Sequence, residues 1–433
     1  MNNKTILIRF GDLVLKGKNK LAFIKQVRKL IKEKLKDLDV EFDFRHDRIY
    51  IMFNEENKDQ VEKRLSYVSG IQSYSYVYTT TNDLEDILKT AIEIIENEVN
   101  EPTTFKIETK RADKLYPLTS QEITQQIAPR LLKHFDNRLK VDVKNPKMTL
   151  HIELRKEATY LYFGVIKAMG GFPVGIGGKG LLMLSGGIDS PVSGYLAIKQ
   201  GITIELMHYE STPLTPLESV QKVIDLAKKL SYYMPNNKIK LHLVPFTKIH
   251  EEILKNVSDP YIINIMRRMM YRLAERYANQ KDILCIINGE SVGQVASQTL
   301  QSIKTVENVT NIPILRPLIT YDKQDIINIS KKIDAFDISI RPFNDCCSIY
   351  VPKRPIIKPT IVDALKEEEK FDYNPLLEEA ISGIQTIYIT PDLEFNIADF
   401  GFDVKEAIQN FKEEGKQKWL HLKIIKHLKK WKN

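Results

Sequence analysis

A chain that handles phosphates needs converging N–H donors, and residues 185–190 are of the types that supply them. The apolar run Leu181 to Leu184 leads directly into Ser185-Gly186-Gly187-Ile188-Asp189-Ser190, and a helical stretch follows to Gln200. Glycines let a backbone approach its ligand closely, and a helix N-terminus adds partial positive charge that favours a phosphate. Ser185 and Ser190 add hydroxyl donors. Asp189 has no obvious place in a pure anion cradle, which suggests a part in holding Mg2+. The competing reading is a strand-to-helix turn whose glycines serve geometry alone. The full hexapeptide, set between an apolar strand and a helix, favours the phosphate site. Gly201 stands where a helix C-cap is expected.

A second glycine cluster, 170–180, reads as a linker or a functional loop. Gly175-Ile176-Gly177-Gly178-Lys179-Gly180 fits the dinucleotide pattern G-x-G-x-x-G, but it precedes a strand, whereas that fingerprint follows a strand and opens a helix. It fails as a Walker loop because Pro173 occupies the first glycine position and Gly180 the Ser/Thr position.

The three cysteines divide by context. Cys285, inside Ile-Leu-Cys-Ile-Ile, reads as a buried small hydrophobe. Cys346-Cys347 lies in a loop with Arg341, Lys353 and Arg354 nearby in sequence, and cations favour thiolate. A redox or sulfur role for this pair stays open on that ground alone. A vicinal disulfide would be strained and is not expected at rest. So sparse and odd a set excludes a secreted disulfide framework, and a reducing cytoplasm is expected. No apolar leader opens the chain and no run of about 18 apolar residues occurs, so no membrane association is expected.

These residues must be positioned by a chain of 433 residues, enough for two to four domains. Hydrophobic residues make up 43% and charged residues 28%, a globular balance, and the net charge of +8 suits a polyanionic partner. A strand at Thr5 to Phe10, a helix over Leu21 to Leu38 and strand material from Phe42 to Phe53 form a first α+β unit. A helix at Leu84 to Val99, a strand at Phe105 to Thr109 and a hairpin from Leu150 to Val165 form a second. Beyond the glycine cluster the pattern alternates strand and helix, with strands at Leu181–Leu184, Ile202–His208, Ile239–Phe246, Ile283–Asn288 and Ile312–Leu318. That predicts an α/β fold with a parallel sheet and helices on both faces. Lys110, Arg111 and Lys114, after the Phe105 strand, are candidates for tracking the phosphates of a polyanionic partner, as are Lys16, Lys18 and Lys20; each alone reads as a solvated surface residue. From Lys416 to Lys432 seven lysines and no acid accompany Trp419, Leu422, Ile425, Leu428 and Trp431, a basic amphipathic helix.

The hexapeptide SGGIDS resembles the pyrophosphatase-loop (PP-loop) motif, whose bearers cleave ATP between the α- and β-phosphates and adenylate an oxygen of the substrate. With that loop placed, IRFGDLVLKGKN, SGIQSYS, KRADK, GFPVG, MRRMMYRLAE, INGESVGQVASQT, RPLITYDKQDII and DCCSIYVPKRP follow, in order, the pattern of the tRNA 4-thiouridine synthetases (tRNA sulfurtransferases). The resemblance implies an N-terminal ferredoxin-like domain over 1–60 and a THUMP RNA-binding domain over 61–165. It implies a Rossmann-like PP-loop ATPase domain over 166–396, and it leaves the tail, 397–433, without a guide. The activity it implies is conversion of uridine at position 8 of tRNA to 4-thiouridine, using ATP and Mg2+ and releasing AMP and pyrophosphate. Further implications are a cysteine desulfurase as sulfur donor, a second role in sulfur transfer to a carrier protein for thiamine thiazole synthesis, and a homodimer. Some members carry a C-terminal rhodanese domain, for which this chain has no cysteine after Cys347.

Carried onto this chain, the resemblance makes Asp189, Lys323 and Cys347 catalytic. It assigns Met183 and Leu184 to the adenosine through main-chain groups, and Ser185, Gly186, Gly187 and Ser190 to the phosphates. His208, Tyr209, Arg267, Gly289 and Gln298 fall near the nucleotide. Without it, His208 reads as a strand-end histidine and Lys323 as a solvated lysine at a helix capped by Asp322. Arg268, beside Arg267, is the less favoured phosphate partner. Thiolases acting at other tRNA positions often carry Cys-x-x-Cys pairs, which are absent here. A non-enzymatic RNA binder is disfavoured by the intact SGGIDS. A methyltransferase or deaminase would need a SAM loop or an H-x-E with P-C-x-x-C, and neither is found.

Overall fold

The computed structural model describes residues 3–11, 19–45, 47–343, 345, 352 and 355–415. Lys16, Lys18, Cys346, Cys347, Lys353, Arg354 and the basic helix expected over Lys416 to Lys432 lie outside the described residues. The chain divides into two compact units, Met1–Pro173 and Val174–Asn433.

In the first unit, strand β1 (Asn3–Arg9), helix α1 (Lys20–Leu35), strands β2 (Val40–Phe44) and β3 (Ile49–Asn54), helix α2 (Lys58–Leu65) and strand β4 (Ser73–Tyr76) make the ferredoxin-like β-α-β-β-α-β order. Helix α1 forms because Ile24, Val27, Leu30, Ile31 and Leu35 recur on one face; all are at most 2% exposed, and each stabilises by about 1.5–3 kcal/mol. The sheet pairs antiparallel, with Leu7 opposite Tyr50 on one side and Ser75 on the other. It therefore reaches past residue 60, where the first domain was expected to end.

A second sheet follows, ordered β5 (Tyr78–Thr80), β9 (Thr159–Phe163), β8 (Met148–Leu154), β6 (Thr103–Arg111) and β7 (Leu139–Val141). Helices α3 (Leu84–Glu98) and α4 (Ser120–Phe135) pack their apolar faces on it. Asp83 caps α3 by accepting from the Glu85 N–H at 2.8 Å. Thr119 and Glu122 form a capping box on α4. The expected hairpin is present as β8 and β9, and β10 (Ile166–Lys167) then returns to pair with β4 of the first sheet. The two sheets of this unit meet through Tyr50 stacked on Tyr160, ring centroids 4.8 Å apart, and an Arg155–Asp47 ion pair at 3.2 Å.

The second unit holds a sheet ordered β15 (Ile314–Leu315), β14 (Cys285–Ile287), β11 (Lys179–Met183), β12 (Thr203–Glu210), β13 (Ile239–Pro245) and β16 (Gln385–Ile389). The strands β11 to β15 run parallel, as alternation predicts. The edge strand β16 is antiparallel to β13 and was not expected. Strand β15 spans two residues rather than Ile312–Leu318 because Pro313 and Pro317 cannot donate to a ladder. Helices α5 (Asp189–Lys199), α6 (Leu217–Ser231), α7 (Thr247–Asn256), α8 (Ile262–Gln280), α9 (Leu300–Glu307) and α10 (Lys323–Lys332) fill the crossovers. Gly201 has φ +87°, the left-handed conformation that ends α5. The N–H groups of Gly175 and Gly177 both bond the Gly201 carbonyl at 2.9 Å, so the glycine cluster is scaffolding. Among the described residues no helix is long and apolar enough to cross a membrane.

The strand order reverses at β11, whose neighbours are β12 on one side and β14 on the other. In open α/β sheets ligands sit beyond the carboxyl ends of strands at such a switch point. The segment after β11 is Ser185–Ser190, and the segment after β14 begins at Asn288 and Gly289.

Candidate active site

A cavity of about 600 Å³ opens at that switch point. Met183, Leu184, Ser185, Gly187, Asp189, Ser190, His208, Tyr209, Arg267, Gly289 and Gln298 all line it. Ile263, Met270 and Tyr271 add apolar wall from α8.

The loop after β11 is locked by its own serines. The Ser185 N–H donates to Ser190 Oγ at 2.9 Å, and the Ser190 hydroxyl donates to the Ser185 carbonyl at 3.0 Å. Gly186 is not part of the cavity wall; its N–H donates to Asp345 Oδ2 at 2.7 Å. Gly289 explains itself sterically. A Cβ there would lie 2.7 Å from the Ser190 nitrogen and 2.8 Å from the Asp189 carbonyl carbon, so glycine alone lets the β14 loop approach the phosphate loop.

Asp189 opens α5 and faces a cation. Lys323 Nζ lies 2.6 Å from Asp189 Oδ1, and Gln294 donates to Oδ2 at 3.0 Å. Asp322, which precedes Lys323, makes no side-chain cap to α10. Lys323 is exposed at the start of α10, as a solvated helix start would be, and it also engages Asp189 across 134 residues.

His208 is 4% exposed and directs Nδ1 at the Leu184 carbonyl, 2.9 Å away. The ring donates there, which leaves Nε2 as its other available atom. The Leu184 N–H already bonds the Met207 carbonyl at 2.8 Å. Both main-chain groups expected to face adenosine at Leu184 therefore hold protein partners. The Tyr209 hydroxyl donates to the Met270 carbonyl at 2.6 Å, fixing its ring against the apolar wall.

The two arginines of α8 separate cleanly. Arg268 is fully buried and forked onto Glu368 at 2.8 and 2.9 Å, a structural pair. Arg267 lines the cavity and pairs with Glu290, which also accepts from Arg316 Nε at 2.7 Å and Asn288 at 2.8 Å. Glu290, Arg316 and Asn288 escaped sequence reasoning, although Asn288 and Glu290 flank Gly289. Lys222 escaped it too. It is 5% exposed on the buried face of α6 and donates to the Arg341 and Phe343 carbonyls at 2.9 and 3.3 Å. Burial lowers its pKa, partly offset by Asp345. A lysine on an apolar stripe was the available signal.

Cys285 is 8% exposed in β14, as expected, and burial pushes its thiol up. Lys110 and Lys114 are exposed at the end of β6 and beyond. Arg111 is committed to the Tyr116 and Leu118 carbonyls at 2.8 and 3.3 Å, so it braces the following loop.

Family models match along the chain: the ThiI ferredoxin-like domain over residues 5–75, the THUMP domain over 81–163 and the thiamine biosynthesis protein (ThiI) over 175–373. A probable tRNA sulfurtransferase of Acholeplasma laidlawii is 66% identical over 411 residues, 95% of this chain and 100% of that protein. One of Oceanobacillus iheyensis is 42% identical over 391 residues, covering 90% of this chain and 97% of that one. A crystal structure of a 4-thiouridine synthetase–RNA complex with bound ATP has a TM-score of 0.80 at 33% identity, over 90% of this chain and 100% of that one. With a phosphate-type loop at the switch point and likeness over nearly the whole length, the chain belongs to the tRNA sulfurtransferase family.

Proposed function

We propose that this chain adenylates O4 of a uridine in tRNA, at position 8, and replaces that oxygen with sulfur to give 4-thiouridine. Oxide cannot leave a pyrimidine C4, so the oxygen must first become a leaving group. O4 attacks the α-phosphorus of ATP and pyrophosphate departs. The terminal sulfur of a persulfide on Cys347 then attacks C4, and AMP leaves with the oxygen. A thiol reductant next attacks the Cys347 sulfur of the resulting disulfide, breaking the S–S bond and releasing 4-thiouridine.

The observation that carries this reading is the Asp189–Lys323 pair at 2.6 Å on the rim of the Ser185–Ser190 loop. The loop and the N-terminus of α5 supply N–H donors for the β- and γ-phosphates. Lys323 places a cation where charge develops on the transferring phosphoryl. Met183, Tyr209, Ile263 and Met270 offer an apolar seat for adenine, and Arg267 can exchange Glu290 for phosphate. Among the described residues no group of three or more His, Cys, Asp and Glu forms a metal cage. One carboxylate beside a phosphate site nevertheless suits Mg2+, which takes most of its ligands from phosphates and water. Asp189 would hold it, and the ion would neutralise phosphate charge. Lys110 and Lys114 are proposed phosphate contacts for tRNA, with Arg111 as their brace. A cysteine desulfurase is the proposed sulfur source, passing persulfide sulfur to Cys347.

The test is a pair of variants assayed with tRNA. Asp189→Ala is expected to abolish pyrophosphate release while tRNA binding persists. Cys347→Ser is expected to retain tRNA-dependent AMP formation and lose 4-thiouridine, read by mass spectrometry of nucleosides. Full 4-thiouridine from Cys347→Ser, or pyrophosphate release from Asp189→Ala, overturns the assignment.

A further inference from the structure

The Glu290 carboxylate is shared by two arginines that reach it from different elements. Arg267 of α8 pairs with Oε1, and Arg316, just after β15, donates Nε to Oε2 at 2.7 Å. Asn288 donates to Oε2 as well, at 2.8 Å. The side chains of Arg267, Glu290 and Arg316 are 12%, 10% and 10% exposed, so each charge depends on its neighbours rather than on water. Arg267 lines the nucleotide cavity and Arg316 does not. The guanidinium of Arg316 is a planar fork with fixed donor directions. Its Nη1 is taken by Glu307 of α9, and its other edge carries Nε and Nη2. Nη2 is buried and has no hydrogen-bond partner among the described residues. A bidentate pair with Glu290 would fill it, but Oε1 is held by Arg267. The network is therefore one hydrogen bond short for as long as Arg267 stays on Glu290, and a buried donor left unmade is costly.

We propose that Arg316 is the positioning residue that releases Arg267 to the nucleotide. A phosphate draws Arg267 off Oε1, and Glu290 then accepts both Nε and Nη2 of Arg316 and stays neutralised. The exchange satisfies the donor that was empty, so Arg267 reaches the phosphates without leaving a bare buried carboxylate behind. Without Arg316, Glu290 has no second cation and keeps Arg267. A residue outside the cavity wall thus governs how readily the cavity offers its arginine. The inference rests on the ATP reading of the cavity.

The experiment uses the full-length protein with α,β-methylene-ATP, which cannot be cleaved at the bond concerned. Its dissociation constant is measured by calorimetry for wild type, Arg316→Met, Glu290→Gln and the double variant. Arg316→Met should weaken binding about 10- to 100-fold, the weight of a hydrogen bond to a charged group that is left unmade. Glu290→Gln should bind at least as tightly as wild type, because no charge then holds Arg267 back. In the Glu290→Gln background the loss from Arg316→Met should shrink to about twofold or less, since no carboxylate needs a second cation. That double variant carries the same net charge as wild type. A role of Arg316 in folding alone, or in plain attraction of phosphate, would give the same loss in both backgrounds. Melting curves check that the variants fold; if Arg316→Met does not melt cooperatively, Arg316→Lys, which keeps the charge without the fork, carries the same comparison. An equal loss in both backgrounds, wild-type affinity in Arg316→Met, or weaker binding by Glu290→Gln overturns the proposal. Failure of wild type to bind the analogue at all instead overturns the ATP reading of the cavity.

Discussion

Gly289→Ala puts the geometry of the site to a quantitative test. The added Cβ would lie 2.7 Å from the Ser190 nitrogen, 2.8 Å from the Asp189 carbonyl carbon and 3.0 Å from the Ser190 Cα. All three atoms belong to the backbone of the first turn of α5, so no side chain can swing aside. Either the loop after β14 or the phosphate loop must move. Overpacking of this kind costs about 1–3 kcal/mol. If the folded loop keeps its place until nucleotide binds, the cost falls on binding and the ATP dissociation constant rises about 5- to 150-fold. If the loop shifts in the free protein, part of the cost appears as lost stability, at about 2–4 °C of melting temperature per kcal/mol. Calorimetric binding of α,β-methylene-ATP together with thermal melting captures both shares. Gly415→Ala, where an added Cβ meets no atom of the described residues within 4 Å, is the control. Affinity within about twofold of wild type with an unchanged melting temperature would show that Gly289 does not set the spacing of the two loops.

Lys323→Ala removes the cation 2.6 Å from Asp189, and it should lower single-turnover pyrophosphate release about 10²- to 10³-fold while the analogue still binds. Retained release would remove Lys323 from the adenylation step. Far from the site, hydrogen bonds from His242 and Lys240 hold the Glu205 carboxyl at about 2, below its ordinary 4.5. A depressed folded value contributes stability above pH 4.5 that is lost as pH falls toward about 2, so Glu205→Gln should flatten acid melting curves across that window. Equal pH dependence in both proteins would place the acid sensitivity elsewhere. Deletion of 416–433 removes seven lysines, and it should weaken tRNA binding and reduce its salt slope. An unaltered slope would detach that segment from RNA.

What was legible in the sequence was local. The Ser185–Ser190 loop announces itself because strand, glycines and helix start are contiguous, and the five parallel strands of the second unit announce themselves by alternation. What was not legible depends on pairing across the chain. Gly186 meets Asp345 from 159 residues away, and nothing in either segment's periodicity encodes that contact. The strand β16 was missed because only Ile387 and Ile389 of Gln385–Ile389 are buried, as befits an edge. Lys222 was passed over because a lysine in an amphipathic helix is ordinarily solvated, yet it falls among Ser219, Val223 and Leu226 on the buried face of α6. Arg267 and Arg268 are adjacent in sequence, but 100° of helix rotation sends one to the cavity and the other to Glu368. The sheet order then explains why contiguous and distant residues converge. With β11 flanked by β12 and β14, any residue placed just after β11 faces whatever follows β14. A glycine after β14 is therefore a condition for an intact loop after β11, and the two motifs constrain each other although about 100 residues separate them.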